Sequence, residues 1–167
     1  IKTFVELLCE RETDVAVGEW LRENEGAYPL DAALDAALRH KLDDAASFLL
    51  DRAGRTEEAL ELVLRSASES VARFDALEPS EGLRRMEAAA ANAVRLCERL
   101  SDFASPEDAF EAWFRVLDVF LAALRGVKAA ERRSDSALRV VRVVLRAMVP
   151  RVDRGKLVVR LRSSFPA

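Results

Sequence analysis

Residues 28–64 read YPLDAALDAALRHKLDDAASFLLDRAGRTEEALELVL. Pro29 suits the first turn of a helix, where its missing N–H costs nothing. Leu30, Ala33, Leu34, Ala37 and Leu38 then recur at helical spacing. A further helix starts at Asp43, read as its cap, and ends at Gly54, which is expected to adopt a positive φ. Another starts at Thr56 and carries Leu60, Val63 and Leu64 on one side. Helices this short do not hold themselves up in water; each must bury its apolar stripe on a neighbour. Connections of a few residues make sequential helices pack as antiparallel pairs. A row of helices that is stable only when stacked predicts an all-α fold, an irregular α-solenoid.

The same reading extends to both ends. A helix is expected from Ile1 to about Arg11, and a second from Thr13, its cap, to near Asn24, carrying Val17, Trp20 and Leu21. Beyond Thr56 the helices lengthen. The fifth carries Ala67, Val71 and Phe74 beyond Leu64. The sixth follows Pro79-Ser80 and carries Leu83, Met86, Ala90, Ala93, Cys97 and Leu100. The seventh has the clearest start: Ser105 as cap, Pro106 in the first position, Glu107 and Asp108 at the positive end of the dipole. Its stripe is Phe110, Trp113, Phe114, Leu117, Leu121 and Leu124, with Trp113 and Phe114 expected in the core. Ser134 is read as the cap of the eighth and Asp153 of the ninth. Gly126–Arg133 reads as an exposed linker. The expectation is a stack of about nine helices, one α-solenoid segment over 1–167, with short helices in 1–78 and longer ones in 79–167.

Half the 167 residues are apolar and a third charged, the balance of a globular chain. The longest uncharged stretch, Ala88–Val94, is far short of the about 20 apolar residues that span a bilayer. The chain opens without Met on a helical pattern and reads as a segment of a longer protein. Catalytic residue types are sparse. The single histidine, His40, falls near the end of the third helix. The six glycines are too scattered to cradle a phosphate. Cys9 and Cys97 sit on apolar stripes, as reduced buried thiols do. No cofactor or metal site is expected.

Charge is unevenly spread. Residues 1–125 hold 15 Lys+Arg against 26 Asp+Glu, whereas 126–167 hold 11 against 3. Arg139, Arg142 and Arg146 recur at helical spacing in the eighth helix, read as opposite Leu138, Val141, Leu145 and Met148. Lys156 and Arg160 do the same in the ninth, whose stripe is Leu157, Val158 and Leu161. These five cations form either a solvated face complementing the acidic N-terminal helices or a docking surface for an acidic partner. No aromatic platform interleaves with the arginines, which argues against nucleic acid.

The segment from Ile1 to Leu64 resembles the clathrin-heavy-chain-type helical repeat of vacuolar protein sorting subunits. The residues that carry this are the start Tyr28-Pro29-Leu30, the unit Ala45 to Leu50 ending at Gly54, and the pair Ala59-Leu60. Asn92 to Leu124 resembles the region that follows the repeat in the vacuolar protein sorting-associated protein eight family. The matching features are a Cys-containing helix (Cys97), a Pro106-Glu107 helix start and the run Trp113-Phe114-Arg115-Val116-Leu117-Asp118. Ala147-Met148 and the capped helix after Asp153 are similar as well. The likeness lapses at Gly126–Ser134 and in the unusually Ala- and Arg-rich composition.

That resemblance implies a Rab-binding subunit of the CORVET complex, which tethers early endosomal membranes before fusion. It implies a β-propeller and a RING-type finger in the parent; neither pattern is in these residues, so Rab and zinc contacts are expected elsewhere. The segment itself is expected to be a non-catalytic scaffold, cytoplasmic and peripheral on the endosome, that contacts other tethering subunits and meets the membrane only indirectly. Two alternatives stand beside it. The equivalent segment of the HOPS-complex counterpart shares the repeat but should lack the Trp113–Asp118 context. A helical enzyme would need acidic metal motifs facing a cavity, whereas Asp43-Asp44 and Glu57-Glu58 lie at helix starts, where capping and the dipole explain them.

Overall fold

The computed structural model describes residues 4–73, 79–126 and 131–164. Among them are nine α-helices and no strand. They are α1 (Phe4–Arg11), α2 (Asp14–Glu23), α3 (Leu30–Arg39), α4 (Asp43–Arg52), α5 (Thr56–Ala72), α6 (Pro79–Phe103), α7 (Pro106–Gly126), α8 (Glu131–Met148) and α9 (Arg154–Ser164). The all-α expectation holds. The chain forms two compact units, Ile1–Val63 and Leu64–Ala167. Their boundary falls inside α5, whereas the sequence placed its change from short to long helices at 78–79.

In the first unit α1 packs on α2 and α3 on α4, as short connections require. In addition α1 packs on α3 and α2 on α4, so one hairpin is stacked on the next. Asp14, at the start of α2, contacts the start of α4, while Glu25, just past the end of α2, lies 3.9 Å from Arg52 at the end of α4. The two helices therefore run in the same direction, a non-sequential pairing beyond the antiparallel neighbours expected. α4 is enclosed: every residue from Ala45 to Asp51 is buried.

The turns that join these helices repeat one geometry. At the end of α4 the N–H of Gly54 donates to the Asp51 carbonyl and that of Arg55 to Leu50, with Gly54 at φ 76°. At the end of α3 the N–H of Lys41 donates to Leu38 and that of Leu42 to Ala37, with Lys41 at φ 56°. Both are Schellman turns with a left-handed residue at C′. The expectation for Gly54 is met. Lys41 occupies the equivalent place with a side chain, a strained choice.

Two expected caps are replaced. Asp43 is the first helical residue of α4, and the N-cap position holds Leu42, which makes no side-chain cap bond. The carboxylate of Asp14 does that work from another helix, accepting the N–H groups of Asp44 at 2.9 Å and Ala45 at 3.1 Å. Thr56 is likewise already helical, and its buried hydroxyl donates to Asp51 at 3.0 Å. Gly18 of α2 leaves room for the Asp44 carboxylate and the Arg22 guanidinium. A Cβ there would lie 2.6 Å from an oxygen of Asp44, which Arg22 also binds at 2.9 Å.

The second unit is a three-helix bundle of α6, α7 and α8, each packed on the other two. Its core contains Met86, Leu96, Cys97, Trp113, Leu117, Phe120, Leu121, Val140, Val144 and Met148. Trp113 is 1 % exposed; its indole N–H donates to Ser101, which donates to the Cys97 carbonyl. Ser105 and Asp108 form the expected cap of α7, and Asp153 caps α9 through the N–H of Lys156. α8 begins at Glu131, so Ser134 lies inside the helix rather than capping it, and residues 127–130 of the expected linker lie outside the described residues. Phe74 also lies outside them. The buried stripe of α8 is Ala137, Val140, Val141, Val144 and Met148, while Leu138 is 38 % exposed. Leu138 was expected to be inside; an apolar stripe wide enough to include it also includes positions the bundle does not cover. Among the described residues of α9 Leu157 alone is buried, and Val158 is exposed.

Candidate docking surface

The five expected cations separate into two groups with different surroundings. Lys156 and Arg160, one turn apart on α9, reach over α7. The Lys156 ammonium stands 4.7 Å from the ring centre of Phe110, and the Arg160 guanidinium 6.0 Å from that of Phe114. Arg160 also pairs with Asp118 through two guanidinium nitrogens. Phe110, Phe114 and Asp118 are themselves spaced one turn apart, so the two helices meet as matched ladders. Phe110 and Phe114 are in tilted ring contact at 4.4 Å. The Asp118 carboxylate, by its hydrogen bond and then its charge, raises the Arg160 pKa above its ordinary value. Arg151 repeats the pattern, over Trp113 at 5.9 Å and paired with Glu98 at 3.0 Å. Lys156 and Arg160 fasten α9 to α7, and Arg151 fastens the turn before it to α6 and α7. The sequence signal was present in the four-residue spacing of Phe110, Phe114 and Asp118 against that of Lys156 and Arg160.

Arg139, Arg142 and Arg146 differ. All three are exposed on the side of α8 opposite its buried stripe, and among the described residues none has a carboxylate partner. Exposed Leu138, Val143 and Val149 flank them. An arginine ridge bordered by aliphatic side chains supplies charge for steering and apolar area for contact.

The remaining reactive groups are buried or engaged. Cys9 and Cys97 are free, buried thiols. Burial pushes the Cys97 thiol up to about 12 and also raises Cys9, with the nearby Asp14 charge adding to the effect. Neither is a thiolate near neutral pH. Burial raises Asp14 too, against the two N–H bonds that favour its charge. His40 is the C-cap residue of α3. Among the described residues no group of three His, Cys, Asp or Glu is placed to hold a metal ion, and no helix is long and apolar enough to cross a membrane.

No protein-family model matches the chain, and no curated protein and no solved structure matches it. The reading of function rests on its own residues and on the resemblance described above.

Proposed function

We propose that this chain is a non-catalytic scaffold segment of a CORVET-like endosomal membrane-tethering subunit. The observation that carries the reading is the stack of α1–α4, in which one helical hairpin lies on the next and α2 runs with α4. Such stacking is the arrangement by which helical repeats build spacers and extended contact surfaces. The exposed arginine ridge of α8 supports a docking role. The family resemblance supplies the setting: other tethering subunits as neighbours, an early-endosomal Rab GTPase bound by other parts of the parent, and indirect, peripheral contact with the endosomal membrane.

Deleting residues 92–124 from the parent removes nearly all of α7 and about half of α6. The expected result is loss of complex assembly and of endosome tethering while Rab binding by a separate propeller persists. Recovery of the whole complex at normal yield, with normal tethering, would overturn the proposal.

A further inference from the structure

The arginine ridge has a counterpart on the same chain. Residues 1–63 hold 7 Lys+Arg against 15 Asp+Glu. Much of that charge is engaged: Glu6 binds Arg39, Asp44 binds Arg22, and Glu58 binds Arg55. One exposed ridge is not. Glu19 and Glu23 lie one turn apart on the outer side of α2, Val15 lies one turn before Glu19 and is 56 % exposed, and Glu12 stands just ahead of the helix. Among the described residues none of the three glutamates has a cationic partner. Of the other exposed acidic pairs one turn apart, Asp31 and Asp35 on α3 have Arg39 beside them, whose Nε donates to the Asp35 carbonyl and whose charge weakens that site, and in Glu57 and Glu61 on α5 the second is itself engaged.

We propose that the neighbour met by the α8 ridge is a second copy of this chain, bound through its α2 ridge. The inference rests on the scaffold reading and gives it an occupant. Arg139 to Arg146 covers about 10 Å of helix, and Glu19 to Glu23 about 6 Å, extended by Glu12. Helices laid side by side therefore set two or three glutamates against three arginines. Val15 then meets the aliphatic border of Leu138, Val143 and Val149. The signs of charge are opposite, neither ridge is paired among the described residues, and like ridges repel. The contact is consequently head-to-tail. Each added copy leaves one free α8 ridge and one free α2 ridge, so association continues as a chain or closes as a ring.

Sedimentation velocity on the purified chain tests this. In low salt the mean mass is expected to rise with concentration above the 18.6 kDa of one chain, and to return to 18.6 kDa at about 0.5 M NaCl, where screening is strong. The triple variant R139E/R142E/R146E presents two acidic ridges, and E12R/E19R/E23R two basic ones. Each is expected to be monomeric with unchanged helical circular dichroism, and a mixture of the two is expected to associate again. A wild type that stays monomeric in low salt at every concentration overturns the inference, whatever the folding of the variants. So does self-association that survives either charge reversal, or a mixture of folded variants that remains monomeric. The scaffold reading is judged separately, by complex recovery with the full-length parent, so a monomeric chain removes the proposed occupant and leaves that reading standing.

Discussion

Asp14 and Asp44 stand at the starts of two different helices, and the carboxylate of the first accepts the backbone N–H of the second at 2.9 Å. With the further bond to Ala45, this contact fixes the register of α2 on α4 and satisfies donors that α4's own N-cap residue, Leu42, leaves open. Asp14→Ala strands two part-buried N–H groups and is expected to cost about 1–2 kcal/mol in urea unfolding. An unchanged midpoint would show that water serves these donors equally well.

Asp14 also carries a pH signature. Burial raises its pKa above the ordinary 3.8, so the folded chain holds this proton more tightly than the unfolded chain. The sign follows: stability contributed by Asp14 is full below the unfolded value and is lost as pH rises through the raised folded value. Relative to Asp14→Asn, which does not titrate, the wild type is expected to lose stability as pH climbs from about 4. The difference between the two unfolding free energies, measured across that range, checks the sign; a wild type that gains on the variant would reverse the balance between burial and the N–H bonds.

The twin turns at Lys41 and Gly54 predict opposite substitution effects. Lys41→Gly relieves a left-handed side-chain-bearing residue and is expected to stabilise by about 0.5–1 kcal/mol. Gly54→Val forces a β-branched residue to positive φ and is expected to cost about 1–2 kcal/mol or more. Thermal unfolding of the two variants checks both, and shifts of the same sign would contradict the common turn geometry.

Trp113 anchors the second unit. Trp113→Ala is expected to cost about 3–5 kcal/mol, since the side chain is fully enclosed. Trp113→Phe keeps most of the packing and loses the bond to Ser101, a smaller loss of about 1 kcal/mol. Equal losses in chemical denaturation would mean that the hydrogen bond, rather than the packing, dominates.

Arg160→Glu sets a carboxylate against Asp118 and the face of Phe114. It is expected to release α9, seen as faster hydrogen exchange across Arg154–Ser164 with the α6–α8 bundle still protected. Arg142→Glu, on the exposed ridge, is expected to leave that exchange unchanged. Equal effects at the two positions would remove the distinction between fastening and free cations.

What the sequence shows of this fold is what local chemistry decides. Thr13, Ser105 and Asp153 cap their helices as read, because a cap is settled within one turn. Gly54 was legible because glycine marks the left-handed position. Lys41 was not, since the same turn is formed there without that mark. The cap supplied by Asp14 lies 30 residues from its donor and is visible only once α2 and α4 are stacked. In the candidate site, helical spacing identified all five cations but not their surroundings. Lys156 and Arg160 lie over Phe110 and Phe114, while Arg139, Arg142 and Arg146 face outward.

The central claim is that this segment is a scaffold that docks through the outer face of α8 inside a tethering complex. Its most direct test is quantitative recovery, with the tagged full-length parent, of an untagged second copy and of the other subunits of the proposed complex, comparing wild type with the variant R139E/R142E/R146E. These arginines are exposed and make no ion pair among the described residues, so the variant is expected to keep its helical content. The account predicts that recovery falls, and that wild-type recovery falls with added salt over a Debye length of about 8–10 Å at 0.1–0.15 M. Undiminished recovery and endosomal tethering with the folded variant would contradict it and return the ridge to the status of a solvated surface.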